Sequence, residues 1–179
     1  LKKQSADVVF WPTEPNHIDQ QLPIARALEE AGFTTLFVTN KESCVRTLEN
    51  KKTGYRFLSS CRPHLTSRLI SQSRVRELLM RSDNLLLRSE LAYCTWLNSW
   101  LIHQSADWAL EIIDCASPQV LIVGYDLTIE GRVGALVFSE RGIPTACVQH
   151  GLMPATVGHG YHIVDRFLVF GSSTKKALE

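Results

Sequence analysis

Val8-Val9-Phe10-Trp11, then Pro12-Thr13-Glu14-Pro15-Asn16-His17, then Leu22, Ala25, Leu28 and Ala31 at helical spacing up to Gly32, then Thr34-Thr35-Leu36-Phe37-Val38-Thr39: these residues decide the fold. A short, β-prone apolar run is stopped by Pro12 and Pro15, and a loop to about Asp19 is expected after it. The apolar stripe that follows lies on one helix face, and Gly32 is the stop signal. A second run rich in β-branched and aromatic residues comes directly afterwards. Glu42 to Lys51 repeats the helical pattern, and Tyr55-Arg56-Phe57-Leu58 the strand pattern. Strand, helix, strand, helix, strand at this spacing implies a parallel sheet with right-handed crossovers.

The same pattern returns near the end of the chain. Gln119-Val120-Leu121-Ile122-Val123-Gly124 is almost wholly apolar, as a central parallel strand covered on both faces must be. Gly131 to Arg141 reads as a helix stopped by Gly142, and Pro144 to Gln149 as a strand. A loop rich in Gly and His spans residues 150 to 164. Arg166-Phe167-Leu168-Val169-Phe170-Gly171 is the last strand, and Ser172-Ser173 can cap a following helix. Between the two halves, Leu65 to Cys115 contains neither Gly nor Pro and reads as two helices broken near Ser82-Asp83-Asn84. Leu87, Leu91, Cys94, Leu97 and Leu101 share one face, with Trp96, Trp100 and Trp108 on others, so core packing is the expected role of this broadly apolar helix. The arginines from Arg62 to Arg88 are read as a solvated helical face. The expectation is therefore an α/β fold: a Rossmann-like parallel sheet of about six strands flanked by helices. A long helical insertion (residues 63–116) separates strands three and four, and residues 1–179 form a single domain.

Composition narrows the function classes. With 45% apolar and 21% charged residues, the chain has the balance of a soluble globular protein. A formal net charge of +1 gives no electrostatic case for a nucleic-acid partner. The five cysteines (Cys44, Cys61, Cys94, Cys115, Cys147) are scattered with no CxxC, which points to reduced thiols in the cytosol rather than disulfides or zinc. No apolar run is long enough to span a bilayer and no signal peptide is visible. The chain starts at Leu1 and ends in Lys175-Lys176-Ala177-Leu178-Glu179, which looks like the start of a helix, so it reads as a piece of a longer protein.

In a parallel sheet the loops leaving the carboxyl ends of the strands converge on one rim. The first loop brings Glu14, Asn16, His17 and Asp19; the fourth Tyr125, Asp126, Thr128 and Glu130; the fifth Gln149, His150 and Gly151, followed by His159 and His162; the sixth Gly171, Ser172, Ser173 and Thr174. The first βα turn has no GxGxxG, and no P-loop or GxSxG elbow is present, which disfavours dinucleotide, P-loop and serine-hydrolase chemistry. The spacing of His150, His159 and His162 fits no standard zinc pattern, so neither metal nor cofactor is expected. What remains is acid–base chemistry. His17 could take a proton from an acceptor hydroxyl with Asp126 or Glu130 orienting it, or it could be a solvent-exposed loop histidine. His150 could be the base instead, or hold a phosphate or sugar oxygen.

The stretch from Asn16-His17-Ile18 through Pro23, Leu28 and Gly32-Phe33 to the second strand resembles the opening βα unit of GT-B glycosyltransferases. Ile143-Pro144-Thr145 leading to Val148-Gln149-His150-Gly151, and then Asp165 to Gly171, looks like the amino-terminal domain of bacterial surface-polysaccharide and CDP-glycerol-type transferases. The resemblance covers most of the chain outside the helical middle. It implies an amino-terminal, acceptor-side domain of a two-domain enzyme, whose other half binds the nucleotide-sugar donor. It also implies a glycan or lipid-linked acceptor, peripheral association with the inner face of the cell membrane, and a role in surface polysaccharide or glycoconjugate synthesis. His17 matches the base of many inverting members, and His150 the His-Gly of the polysaccharide branch; Asp126 would assist, with Glu14, Asn16, Glu130, Gln149, Gly151, Ser172 and Ser173 lining the substrate. The usual Gly before the first-loop His is Asn16 here. Non-hydrolysing UDP-N-acetylglucosamine epimerases share this fold, so half of such an epimerase is one rival, and a non-catalytic assembly domain using the Trp-rich helix is another.

Overall fold

The computed structural model describes residues 5–58, 99–148 and 163–169, with only the backbone of Ser99 and Trp100. In chain order the elements are β1 (Val8–Trp11), α1 (Pro15–Glu30), β2 (Thr35–Thr39), α2 (Glu42–Asn50) and β3 (Tyr55–Phe57). They continue with α3 (Ser99–Ala116), β4 (Val120–Val123), α4 (Ile129–Glu140), β5 (Thr145–Val148) and β6 (Arg166–Leu168). The strands form one six-stranded sheet in the order β3-β2-β1-β4-β5-β6, every neighbouring pair parallel. The fold is the expected Rossmann-like α/β arrangement. The chain winds outward from β1 to β3, returns to the other side of β1, and winds outward again. That reversal opens a crevice at the carboxyl ends of β1 and β4.

Burial on both faces explains why the central strands are apolar throughout. Val8 and Phe10 of β1 point to the side covered by α1 and α2, where they meet Ile18, Leu22, Phe37, Cys44, Leu48 and Ile122. Val9 and Trp11 point to the opposite side, among Val38, Trp108, Ile112, Leu121, Val123 and Phe138, under α3 and α4. Phe10 and Phe37 stack with ring centroids 4.9 Å apart. Trp108 is thus a core residue, as expected for α3, and Arg56 of β3 ties that helix down through an ion pair with Glu111 at 3.0 Å. Leu87, Leu91, Cys94, Trp96, Leu97 and the break near Ser82 lie outside the described residues, as does the rest of the 63–98 helical segment.

One boundary differs from expectation and moves the site residues with it. The first helix begins at Pro15, not after Asp19, so Asn16, His17 and Asp19 stand in the first turns of α1 rather than in a loop. Proline at the first helical position gives up a hydrogen bond that would be missing there anyway, and its fixed φ suits the helix. Glu14 before it is extended (φ −142°, ψ 153°), as a residue preceding proline prefers. The helix stops are as expected. Gly32 (φ +93°) and Gly142 (φ +70°) both take left-handed backbone. After them Phe33 N–H donates to Leu28 O and Ile143 N–H to Phe138 O, each at 3.0 Å.

Three of the thiols, Cys44, Cys115 and Cys147, are free and buried; Cys61 and Cys94 lie outside the described residues. Burial raises all three above the ordinary thiol value, and for Cys147 burial, reinforced by the charge of Asp126, pushes it up to about 12. Since the thiolate is the reactive form, all three should resist iodoacetamide at pH 8 in the native protein and react fully after denaturation, as read by mass spectrometry of each peptide. The unfolded chain ionises Cys147 near its ordinary value of 9.0 while the folded one holds its proton up to about 12. Its contribution to stability is therefore complete below the unfolded value and is lost as pH rises across that window. No helix among the described residues is long and apolar enough to cross a membrane.

Candidate active site at the switch point of the sheet

The turn Pro12-Thr13-Glu14 leaves β1 and feeds α1, whose first turn carries His17 onto the crevice. The histidine is fully buried, which excludes the reading of a solvent-exposed loop residue. Its Nδ1 lies 3.3 Å from the Thr13 backbone nitrogen and 3.3 Å from Thr13 Oγ1. The ring also packs on Gly124, the residue directly after β4: a Cβ at that position would stand 2.3 Å from His17 Cγ and Nδ1. Only glycine lets strand and ring come this close. One turn further along α1, the buried Gln21 points the same way, its Nε2 3.5 Å from Ile122 O of β4.

Beyond Gly124 the chain places two acids at the same rim. Asp126 is fully buried, with Oδ2 accepting a hydrogen bond from Ile163 N–H at 3.3 Å. Glu130 is buried in the first turn of α4 and pairs with Lys41 Nζ at 2.8 Å. Lys41 follows β2 and Glu130 follows β4, with β1 between those strands, so this ion pair bridges the two sides of the crevice. Thr39 Oγ1 donates to Pro12 O at 3.2 Å and accepts from Lys41 N–H at 3.2 Å, which fastens the end of β2 to the turn that leads to His17. Thr128 caps α4: its hydroxyl accepts from Gly131 N–H and donates to Tyr125 O, both at 3.1 Å.

Of the residues proposed from sequence, the fold brings His17, Asp126 and Glu130 to one rim, all buried. Glu14 and Asn16 sit at the mouth of α1 with exposed side chains. Gln149, His150, Gly151, Ser172 and Ser173 lie outside the described residues, together with His159 and His162. The sequence reading does not include Thr13, Lys41 and Gly124. The rim rule reaches Lys41, which immediately follows a strand; nothing local in the sequence marks Thr13 or Gly124, whose roles come from contact with a side chain on another element.

No family model matches the sequence, and no curated protein matches it. Solved structures do. A spinosyn rhamnosyltransferase complexed with thymidine diphosphate superposes over 83% of this chain and 36% of its own, at 15% identity and a TM-score of 0.50. A UDP-GlcNAc 2-epimerase from Neisseria meningitidis bound to UDP-GlcNAc covers 86% and 34%, at 12% identity and a TM-score of 0.52. Another UDP-N-acetylglucosamine 2-epimerase covers 87% and 34%, at 11% identity and a TM-score of 0.53. The chain spans about a third of the length of these proteins. At such identities the likeness concerns the fold alone: a Rossmann-like parallel sheet flanked by helices.

Proposed function

We propose that this chain is the amino-terminal, acceptor-side half of a GT-B glycosyltransferase that moves a sugar from a nucleotide-sugar donor to the hydroxyl of a glycan or lipid-linked acceptor. The observation that carries the reading is the trio of buried ionisable side chains, His17, Asp126 and Glu130, at the carboxyl rim of the switch-point strands. Burying such groups is costly unless they are held by partners, and a crevice that gathers several is where proton transfer and substrate orientation take place. Asp126, His150 and His17 are the groups we assign to the reacting end of the acceptor, as proton carriers or as supports of the site, with Glu14, Asn16, Glu130, Gln149, Gly151, Ser172 and Ser173 contacting substrate. Positioning the two reactants and stabilising the departing nucleotide would supply most of the rate. The donor would sit against a second half outside this chain, and the reaction would serve surface polysaccharide or glycoconjugate synthesis on the cytoplasmic side, with a peripheral contact to the membrane.

The test is product analysis on the full-length protein with a panel of nucleotide sugars, with and without acceptor extract. Nucleoside diphosphate release that requires acceptor is the expected result. A nucleotide sugar converted to its epimer with no acceptor present would replace transfer by epimerisation. Residues 1–179 alone are expected to transfer no sugar, since one wall of the cleft is missing; measurable transfer by that piece would sink the half-enzyme assignment.

A further inference from the structure

We infer that His17 holds the β1–α1 turn through an unprotonated Nδ1, with the ring proton on Nε2, and that it positions the site instead of removing the acceptor's proton. The tautomer follows from the partner. A backbone N–H has one proton to give and no lone pair, so Thr13 N–H at 3.3 Å requires Nδ1 to be the acceptor. A neutral imidazole whose Nδ1 accepts carries its hydrogen on Nε2. The Thr13 hydroxyl, also 3.3 Å from Nδ1, can serve either tautomer and does not alter the assignment.

The arrangement is also a helix cap. Glu14 is the residue before the first helical position, and His17 stands three residues on. His17 N–H donates to Glu14 O at 3.1 Å, while its side chain reaches back to accept from the turn just before. Glutamate or glutamine at this helix position makes a similar backward bond in a capping box. Glu14 itself makes no side-chain cap, and the backward bond from Thr13 N–H to the histidine ties the start of the helix to the turn that precedes it. The ring is wedged against Gly124, with no room for a Cβ on the strand side, so its place is set by packing as well as by the hydrogen bond.

A base must offer a lone pair to the proton it takes. Nδ1 is spent on the turn and Nε2 already bears hydrogen. Of the three groups placed at the reacting end of the acceptor, Asp126 and His150 are the proton carriers, and His17 is a positioning residue. That division of roles rests on the transferase reading above; the tautomer does not.

The experiment has two arms on the full-length protein. Long-range 1H–15N correlation spectra of histidine-labelled protein, with His17 assigned by its loss in His17→Gln, are expected to show the Nε2-protonated tautomer. A ring protonated at Nδ1, alone or as imidazolium at neutral pH, overturns the inference. In the second arm, His17→Gln can restore the backward bond to Thr13 but cannot accept a proton. It is expected to keep sugar transfer within about tenfold of wild type, while His17→Ala loses about a hundredfold through misplacement of the turn. Equal loss in both variants, with the glutamine variant melting like wild type, would make His17 the base and overturn the positioning role. Should wild-type protein transfer no sugar at all, the transferase reading falls, and the tautomer alone decides for or against the cap.

Discussion

Trp11→Ala is expected to lower unfolding free energy by about 3–5 kcal/mol, the range for removing a fully buried large aromatic, and the melting temperature by about 10 °C. Trp11 ends the central strand, and its side chain is 1% exposed among Val9, Val123, Phe138 and the buried face of α3. The ring lies on α4 at Gly134, where a Cβ would come within 2.8 Å of it, so helix and strand are in direct contact through the indole. No smaller neighbour can fill the volume left behind. The indole Nε1 has no hydrogen-bond partner among the described residues. Trp11→Phe therefore removes a buried donor whose desolvation costs about 1–3 kcal/mol while keeping most of the packing, and should cost much less than alanine. Thermal and urea unfolding of the three proteins checks both statements. A loss below 1 kcal/mol in the alanine variant would mean that α4 does not seat on β1 as described.

The parallel sheet was legible because its strands are buried on both sides. Val120-Leu121-Ile122-Val123 has no polar alternation to hide its place between β1 and β5, and the helical stripe of α1 ends at a glycine as its spacing demands. The start of α1 was not legible for a reason internal to proline: the same residue breaks a helix from inside and opens one at its first position. Pro15 opens it, and the misplaced boundary turned a helix-borne histidine into a loop one. Glu130 could be picked from its place after a strand, but its partner could not. The Lys41–Glu130 pair joins elements on either side of β1, so it depends on strand order, which local patterns do not contain. The bond from Thr13 N–H to His17 is hidden for a different reason. It joins two residues only four positions apart, yet a base and a cap put histidine at the same position, and only the direction of one hydrogen bond separates them. The half of the site built from Gln149, His150, Gly151, Ser172 and Ser173 lies outside the described residues, so its reading still rests on sequence alone.

Gly131→Ala should damage stability and activity together. Gly131 stands in the first turn of α4, where alanine would ordinarily gain about 1 kcal/mol in helix propensity. Here that gain is outweighed. A Cβ would lie 2.1 Å from the backbone oxygen of Tyr125 and 3.0 Å from Thr128 Oγ1. Both atoms are fixed: the Thr128 hydroxyl binds Tyr125 O and Gly131 N–H at once, closing a tight turn over the helix end. A backbone oxygen cannot swing aside as a flexible side chain would, so the turn must open. Overpacking of about 1–3 kcal/mol adds to loss of the cap, about 1 kcal/mol more, and the propensity gain offsets only about 1 kcal/mol, for a net cost of about 1–3 kcal/mol. The displacement also reaches the chemistry, because Asp126 lies inside the opened turn and Glu130 is the residue before the substitution. A shift of about 1 Å at such groups is enough for roughly a hundredfold loss of rate. Thr128→Ala removes the cap without inserting a Cβ, and should cost only the cap's share of stability with a smaller effect on rate. If Gly131→Ala melts with wild type and transfers sugar at the wild-type rate in the full-length protein, the turn is not the rigid support on which both acids depend.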